Sequence, residues 1–147
     1  MEAFDLDVRR HVYFSVVANG RPPTIAESAL AFARGEDELA DVYRRLHDAH
    51  ALVLFPNTTD VWMANPFCFG PTPHRVEAGG RDWTATCAWD ALGIPAALHG
   101  DGRIASECAC CGEPVALEVR AGALEGDDVL VHILVPARRW WDDIGFT

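Results

Sequence analysis

The 147 residues suit one domain, or a main domain with a small appendage, and half of them are hydrophobic, enough to bury a core. The formal net charge is −10, with 22 acidic residues against 12 basic ones, and every basic residue is Arg. This balance disfavours a nucleic-acid partner, which needs clustered positive charge, and fits neutral or cationic small ligands better.

No apolar run reaches the roughly 18 residues of a membrane span, so no membrane partner is expected. The opening Met1-Glu2-Ala3-Phe4-Asp5 is acidic where a signal peptide would be basic, which reads as cytoplasmic. Five Cys is an odd number, and three of them crowd into Cys108-Ala109-Cys110-Cys111. That pattern argues for reduced thiols used in binding or catalysis, and against a paired disulfide framework.

In chain order, Leu6, Val8, Val12, Tyr13, Val16 and Val17 recur at helical spacing until Asn19-Gly20-Arg21-Pro22-Pro23 stops the run. Thr24 with Glu27 forms a capping-box pattern that opens a second helix, ending near Gly35. Glu36, Asp37 and Glu38 load the first turn of a third, with Leu39, Val42, Tyr43 and Leu46 facing inward. Residues 51–55 and 60–64 then read as a hairpin across Pro56-Asn57-Thr58-Thr59. Three helices and a hairpin make a winged-helix pattern, yet six Arg face nine acidic residues through position 50. A packing or lid role is therefore expected of this segment in preference to DNA binding.

Asn65 to Pro73 reads as a proline-rich connector. Beyond it, residues 74–78 and 81–86 flank Gly79-Gly80 as a hairpin, and residues 103–106, 115–119 and 129–135 read as further strands. His132, alternating within the last of these, is expected to be a hydrogen-bonded core histidine. Arg138 and Arg139 can pair with Asp142 and Asp143 at helical spacing. The segment Trp140-Trp141-Asp142-Asp143-Ile144-Gly145-Phe146-Thr147 carries no stop signal and reads as expecting continuation.

Between these strands lies the stretch that carries chemistry. Trp83 to Thr86 reads as strand, and the run from Ala88 to Leu98 as helix, with Trp89 expected to pack against the sheet. Cys87 falls at the junction, where unpaired amides favour a thiolate. Asp90 lies one turn on, on the same face, and a carboxylate beside a thiolate raises both pKa values, which suits proton transfer. A structural reading stays open: an acid in a first helical turn, and a small buried Cys.

The order of these elements resembles the organomercurial (alkylmercury) lyases. The likeness rests on the helical segment, on Pro71-Thr72-Pro73-His74-Arg75-Val76, on Cys87-Ala88-Trp89-Asp90-Ala91-Leu92, on Ser106-Glu107-Cys108, and on Gly112-Glu113-Pro114-Val115. It implies protonolysis of a carbon–mercury bond, with Cys87 as the first thiolate on mercury and Asp90 as the proton shuttle. Mercury(II) is soft and prefers thiolate sulfur, consistent with those residue types. No cofactor is then required, and mercury(II) is substrate or product metal. The family's second catalytic Cys lies past the segment resembling residues 140–147, so it has no counterpart in this chain. Cys68, Cys108, Cys110 and Cys111 are the available substitutes.

Cys108 and Cys111 form a Cys-x-x-Cys pair before Gly112, like one knuckle of a zinc site, with Cys68 and His74 the nearest further ligands by type. Structural zinc, mercury capture and ordinary turn cysteines are the three readings of this cluster. The sequence thus specifies an α+β protein: a winged-helix-like subdomain over 1–64, a connector over 65–73, and a β-rich catalytic subdomain over 74–147 with its helix on a mixed or antiparallel sheet. Its expected partner is an organomercurial or another soft-metal or thiol-reactive small molecule. The expected activity is lyase, against metal sequestration or a non-mercury substrate on the same fold.

Overall fold

Capping and apolar spacing build the first half of the chain. In this computed structural model, which describes residues 1–126 and 129–146, α1 (Ala3–Asn19) buries Val8, Val12 and Val16, one residue per turn, and stops at Gly20 in the left-handed region. Helix α2 (Ile25–Phe32) opens on the Thr24–Glu27 capping box, and α3 (Glu36–Asp48) buries Leu39, Val42, Tyr43 and Leu46. The hydroxyls of Ser28 and Tyr43, both fully buried, meet at 2.8 Å and satisfy each other between α2 and α3. Asp5 is buried too, and the Arg45 guanidinium at 2.7 Å holds its carboxyl below the usual range.

The expected hairpin follows as β1 (Val53–Leu54) and β2 (Val61–Ala64), paired antiparallel. Two residues expected to be connector extend it: β3 (Phe67–Cys68) pairs with β2, and both side chains are buried. Phe67 and Cys68 are apolar enough to complete a sheet edge despite the prolines around them.

The chain divides into two compact units, Met1–Gly70 and Pro71–Thr147. The second is a five-stranded antiparallel sheet, ordered β5-β4-β6-β7-β8, made of β4 (Arg75–Ala78), β5 (Arg81–Thr84), β6 (Gly102–Glu107), β7 (Pro114–Arg120) and β8 (Ala123–Gly126). Gly79 and Gly80, both at positive φ, make the β4–β5 turn possible. Helix α4 (Ala88–Ala97) packs on β4 and β6. Alternation sorts the sheet's faces: Val76, Ala78 and Ile104 are buried, while Arg75, Glu77 and Arg103 are exposed. Pro95 sits inside α4 and lacks an N–H, but its ring lies over Gly102, where a Cβ would stand 2.6 Å from Pro95 Cγ.

Three expectations fail here. Residues 129–135 do not form a strand; the neighbouring place beside β7 belongs to β8, brought back by the tight Ala121-Gly122 turn. Alternation within 129–135 made the segment β-competent, but a strand needs a ladder partner, and Leu130 is 97% exposed. His132 is consequently exposed and is no core histidine. Trp89 does not pack on the sheet; it is 63% exposed, because the face of α4 carrying Ala91, Ile94 and Pro95 is the one turned inward. After this segment a 3-10 helix (Ala137–Asp142) forms, with the expected Arg139–Asp142 pair at 2.9 Å on the surface.

The close fit of Pro95 on Gly102 should hold α4 on the sheet. Gly102→Ala is expected to lower unfolding stability by about 1–3 kcal/mol, the usual cost of overpacking, in urea denaturation. Gly100→Ala, whose Cβ meets nothing nearer than the Leu98 carbonyl at 3.9 Å, should stay within about 0.5 kcal/mol.

Candidate active site

At the end of β5 the chain leaves the sheet through Ala85 and Thr86, and Cys87 stands as the N-cap of α4 in extended conformation. An N-cap side chain must accept from the first-turn amides, a task usual for Ser, Thr, Asp or Asn. Here sulfur does it: Cys87 Sγ accepts from the Asp90 N–H at 3.5 Å, and the thiol donates to Asp90 Oδ2, also at 3.5 Å. The thiol and carboxylate expected to share one helical face are thus in contact, each half-buried.

The electrostatics differ from the helix-terminus expectation. Burial pushes the Cys87 thiol above the ordinary thiol range, and the Asp90 carboxylate adds to the rise, outweighing the amides of Asp90 and Trp89 that favour the thiolate. Helix dipoles act over the first turn, but here desolvation is the larger effect. Burial likewise raises Asp90 above the ordinary carboxylate value of 3.8, against weaker contributions from the Cys87 thiol and the Thr86 hydroxyl. An acid whose proton is held more tightly than usual, beside a nucleophilic sulfur, is the arrangement that proton transfer requires.

A second polar pair lies across the same strands. His74, just before β4, meets Ser106 Oγ of β6 through Nδ1 at 2.7 Å, and its carbonyl accepts from the Ala85 N–H. Burial lowers the His74 pKa, favouring the neutral ring. Sequence reasoning placed His74 among metal ligands and missed Ser106. The signal available was that both sit in blocks that carry the family resemblance.

The third cluster is at the β6–β7 connection. Cys108, Cys110 and Cys111 bring their sulfurs within 4.8 Å of one another, with Cys108 and Cys110 at 3.4 Å. Backbone amides of Cys110 and Cys111 directed at Cys108 lower its thiol to about 7, while contact with Cys108 raises Cys110. Cys68 and His74 do not join them: among the described residues this trio is the sole group of three or more metal-ligating side chains. Cys68 is buried in β3, its thiol 3.9 Å from the Gly70 carbonyl.

A shallow trough of about 560 Å³ lies over the exposed sheet face, between Arg75, Glu77, Asp82, Arg103, Glu118 and Glu125; neither Cys87 nor Asp90 lines it. No helix of the described residues is long and apolar enough to cross a membrane.

Comparison with known proteins gives a consistent answer. The family model for alkylmercury lyase matches residues 67–147. The alkylmercury lyase of Staphylococcus epidermidis is 39% identical over 69 residues, and that of Bacillus cereus 35% over 69 residues. Each match covers 45% of this chain and 32% of the relative, so the chain corresponds to about a third of their length. The crystal structure of the mercury-bound form of MerB2 superposes with a TM-score of 0.70 at 26% identity, over 85% of this chain and 60% of that one.

The Cys87–Asp90 contact has a direct consequence for reactivity. Asp90→Asn removes the negative charge and the acceptor that raise the Cys87 pKa, so the pH midpoint for its alkylation by iodoacetamide should move down. An unmoved or higher midpoint, read by mass spectrometry of the Cys87 peptide, would show that the carboxylate does not act on the thiol.

Proposed function

Because the chain belongs to the alkylmercury lyase family, whose model matches more than half of it, we propose that it cleaves carbon–mercury bonds by protonolysis at Cys87 and Asp90. The observation that carries this reading is the mutual contact of Cys87 Sγ with the Asp90 carboxylate and amide at the start of α4. The structural relative, MerB2, was solved in a mercury-bound form, which supports the same substrate class.

The step balances as follows. An organomercury thiolate, R–Hg–SR′, exchanges its thiolate for that of Cys87, giving R–Hg–S(Cys87) and R′SH. Sulfur is a soft donor and mercury a soft acceptor, so the exchange is favoured over oxygen or nitrogen ligands. A second thiol then approaches mercury, and its proton passes to Asp90. Added sulfur donation puts electron density on the metal-bound carbon. Asp90 delivers the proton to that carbon, the carbon–mercury bond breaks, and its electron pair goes to the new carbon–hydrogen bond. The products are R–H and mercury(II) held by two sulfurs, with no redox change.

Burial at Asp90 serves this sequence twice. It keeps a proton on the carboxyl to higher pH than usual, and it weakens the solvation of the carboxylate that forms when the proton leaves, so that a returning proton is held more readily. General acid catalysis of this kind contributes roughly 10²–10⁴-fold. The second thiol is external in this reading, supplied as excess small-molecule thiol.

Phenylmercury with excess monothiol tests it. Benzene, measured by gas chromatography, should form with the unmodified chain and be lost in Cys87→Ser together with mercury capture. Asp90→Asn should still capture phenylmercury but release benzene about 10²-fold or more slowly. Capture by the unmodified chain without benzene would contradict cleavage and leave a sequestering protein. Absence of both would point to a different substrate on the same fold.

A further inference from the structure

From the closed turn at the β6–β7 connection we infer that Cys108, Cys110 and Cys111 form a separate receptor for a soft, thiophilic cation bound through three sulfurs. The inference is independent of the carbon–mercury reading, since it concerns binding of an inorganic ion by side chains that the proposed lyase step does not use.

The turn is built before any ion arrives. The Cys108 N–H donates to the Glu113 carbonyl at 2.8 Å, and the Gly112 N–H donates back to the Cys108 carbonyl at 2.8 Å. Gly112 supplies the positive φ, +72°, that closes the loop; its Cβ position is open, so backbone conformation is what calls for glycine here. Glu107 and Pro114, facing each other in the β6–β7 ladder, anchor both ends. The six residues pinned in this way, 108–113, hold three sulfurs within 4.8 Å of one another, and little conformational entropy is lost on binding.

The donor set selects the class of ion. All three grouped ligands are sulfur, the type that soft cations prefer; the Glu113 carboxylate is met by Cys111 alone, whose thiol donates to Oε2 at 3.6 Å. Structural zinc takes four tetrahedral ligands, and among the described residues no fourth ligand atom lies within 4.8 Å of all three sulfurs. A trigonal sulfur set suits inorganic mercury(II), which accepts three thiolates. Cys110 and Cys111 are exposed and Cys108 half-buried, so an ion can enter from solvent. Binding is a simple exchange: each thiol that ligates gives up its proton, three protons for one mercury(II), with no change of oxidation state.

The test uses the full chain, reduced, in a Cys87→Ser background that removes the proposed lyase thiol. Mercuric chloride is titrated against excess competing monothiol, with bound metal read by native mass spectrometry and sulfur ligands counted by X-ray absorption. One mercury per chain with three sulfur neighbours is expected. Cys110→Ser should reduce the sulfur count to two, and replacing Cys108, Cys110 and Cys111 together by Ser should weaken binding by about 10²-fold or more, since linked donors act at high effective concentration. Adding Cys68→Ser should change nothing. Two sulfur neighbours before any substitution, or mercury retained after loss of all three, would overturn the assignment. So would zinc chloride giving a four-coordinate site that resists chelators.

Discussion

A sulfur atom doing the work of a helix cap is the constraint on which the candidate site depends. Because Cys87 accepts the Asp90 amide, the first turn of α4 sets the two residues side by side, and the sulfur cannot leave without uncapping the helix. Oxygen caps make shorter, stronger bonds; a thiol at 3.5 Å leaves the sulfur weakly engaged and free to exchange its hydrogen bonds for a metal. Burial then decides the protonation state. Burial shifts both groups toward their neutral forms, so each holds a proton to higher pH than it would in water.

The rest of the second unit serves that geometry. Antiparallel strands β4 and β6 give α4 a flat apolar floor of Val76, Ala78 and Ile104, and the absence of a side chain at Gly102 lets the Pro95 ring settle on it. The same strands present the opposite face to solvent as a lattice of ion pairs, with Arg103 near Glu77 and Glu118, and Arg120 near Glu118 and Glu125. Such exposed pairs add little stability; they keep an open sheet face polar. At the far end of β6, the turn to β7 gathers a second set of sulfurs whose chemistry is soft like that of Cys87 but whose surroundings are wet.

Local signals were easy to read where the physics is local. The Thr24–Glu27 capping box, the acidic first turn of α3, the Gly79-Gly80 turn and the strand-to-helix junction at Cys87 each depend on residues within four positions of one another, and each forms as expected. Expectations failed where a distant partner decides the outcome. Residues 129–135 have the alternation of a strand but no ladder, while Ala123–Gly126, with little β-propensity, becomes β8 because a two-residue turn returns it to β7. Trp89 followed the same rule: hydrophobicity favoured burial, but the phase of α4 turned it outward. The upward direction of the Cys87 and Asp90 pKa values and the contact between the two both followed from helical periodicity, whereas burial, the larger cause of each rise, is something no spacing reveals.

Local geometry brings one pair of side chains together, and in the proposed reaction the role of the acid is the more demanding half. Titration of the Asp90 carboxyl carbon by NMR, in metal-free protein with the side chain labelled, tests it most directly. The account predicts a midpoint clearly above the ordinary carboxylate value of 3.8, moving toward that value when the chain is unfolded by denaturant. A midpoint at or below 3.8 in the folded protein would mean that Asp90 holds no proton to give, and would contradict it.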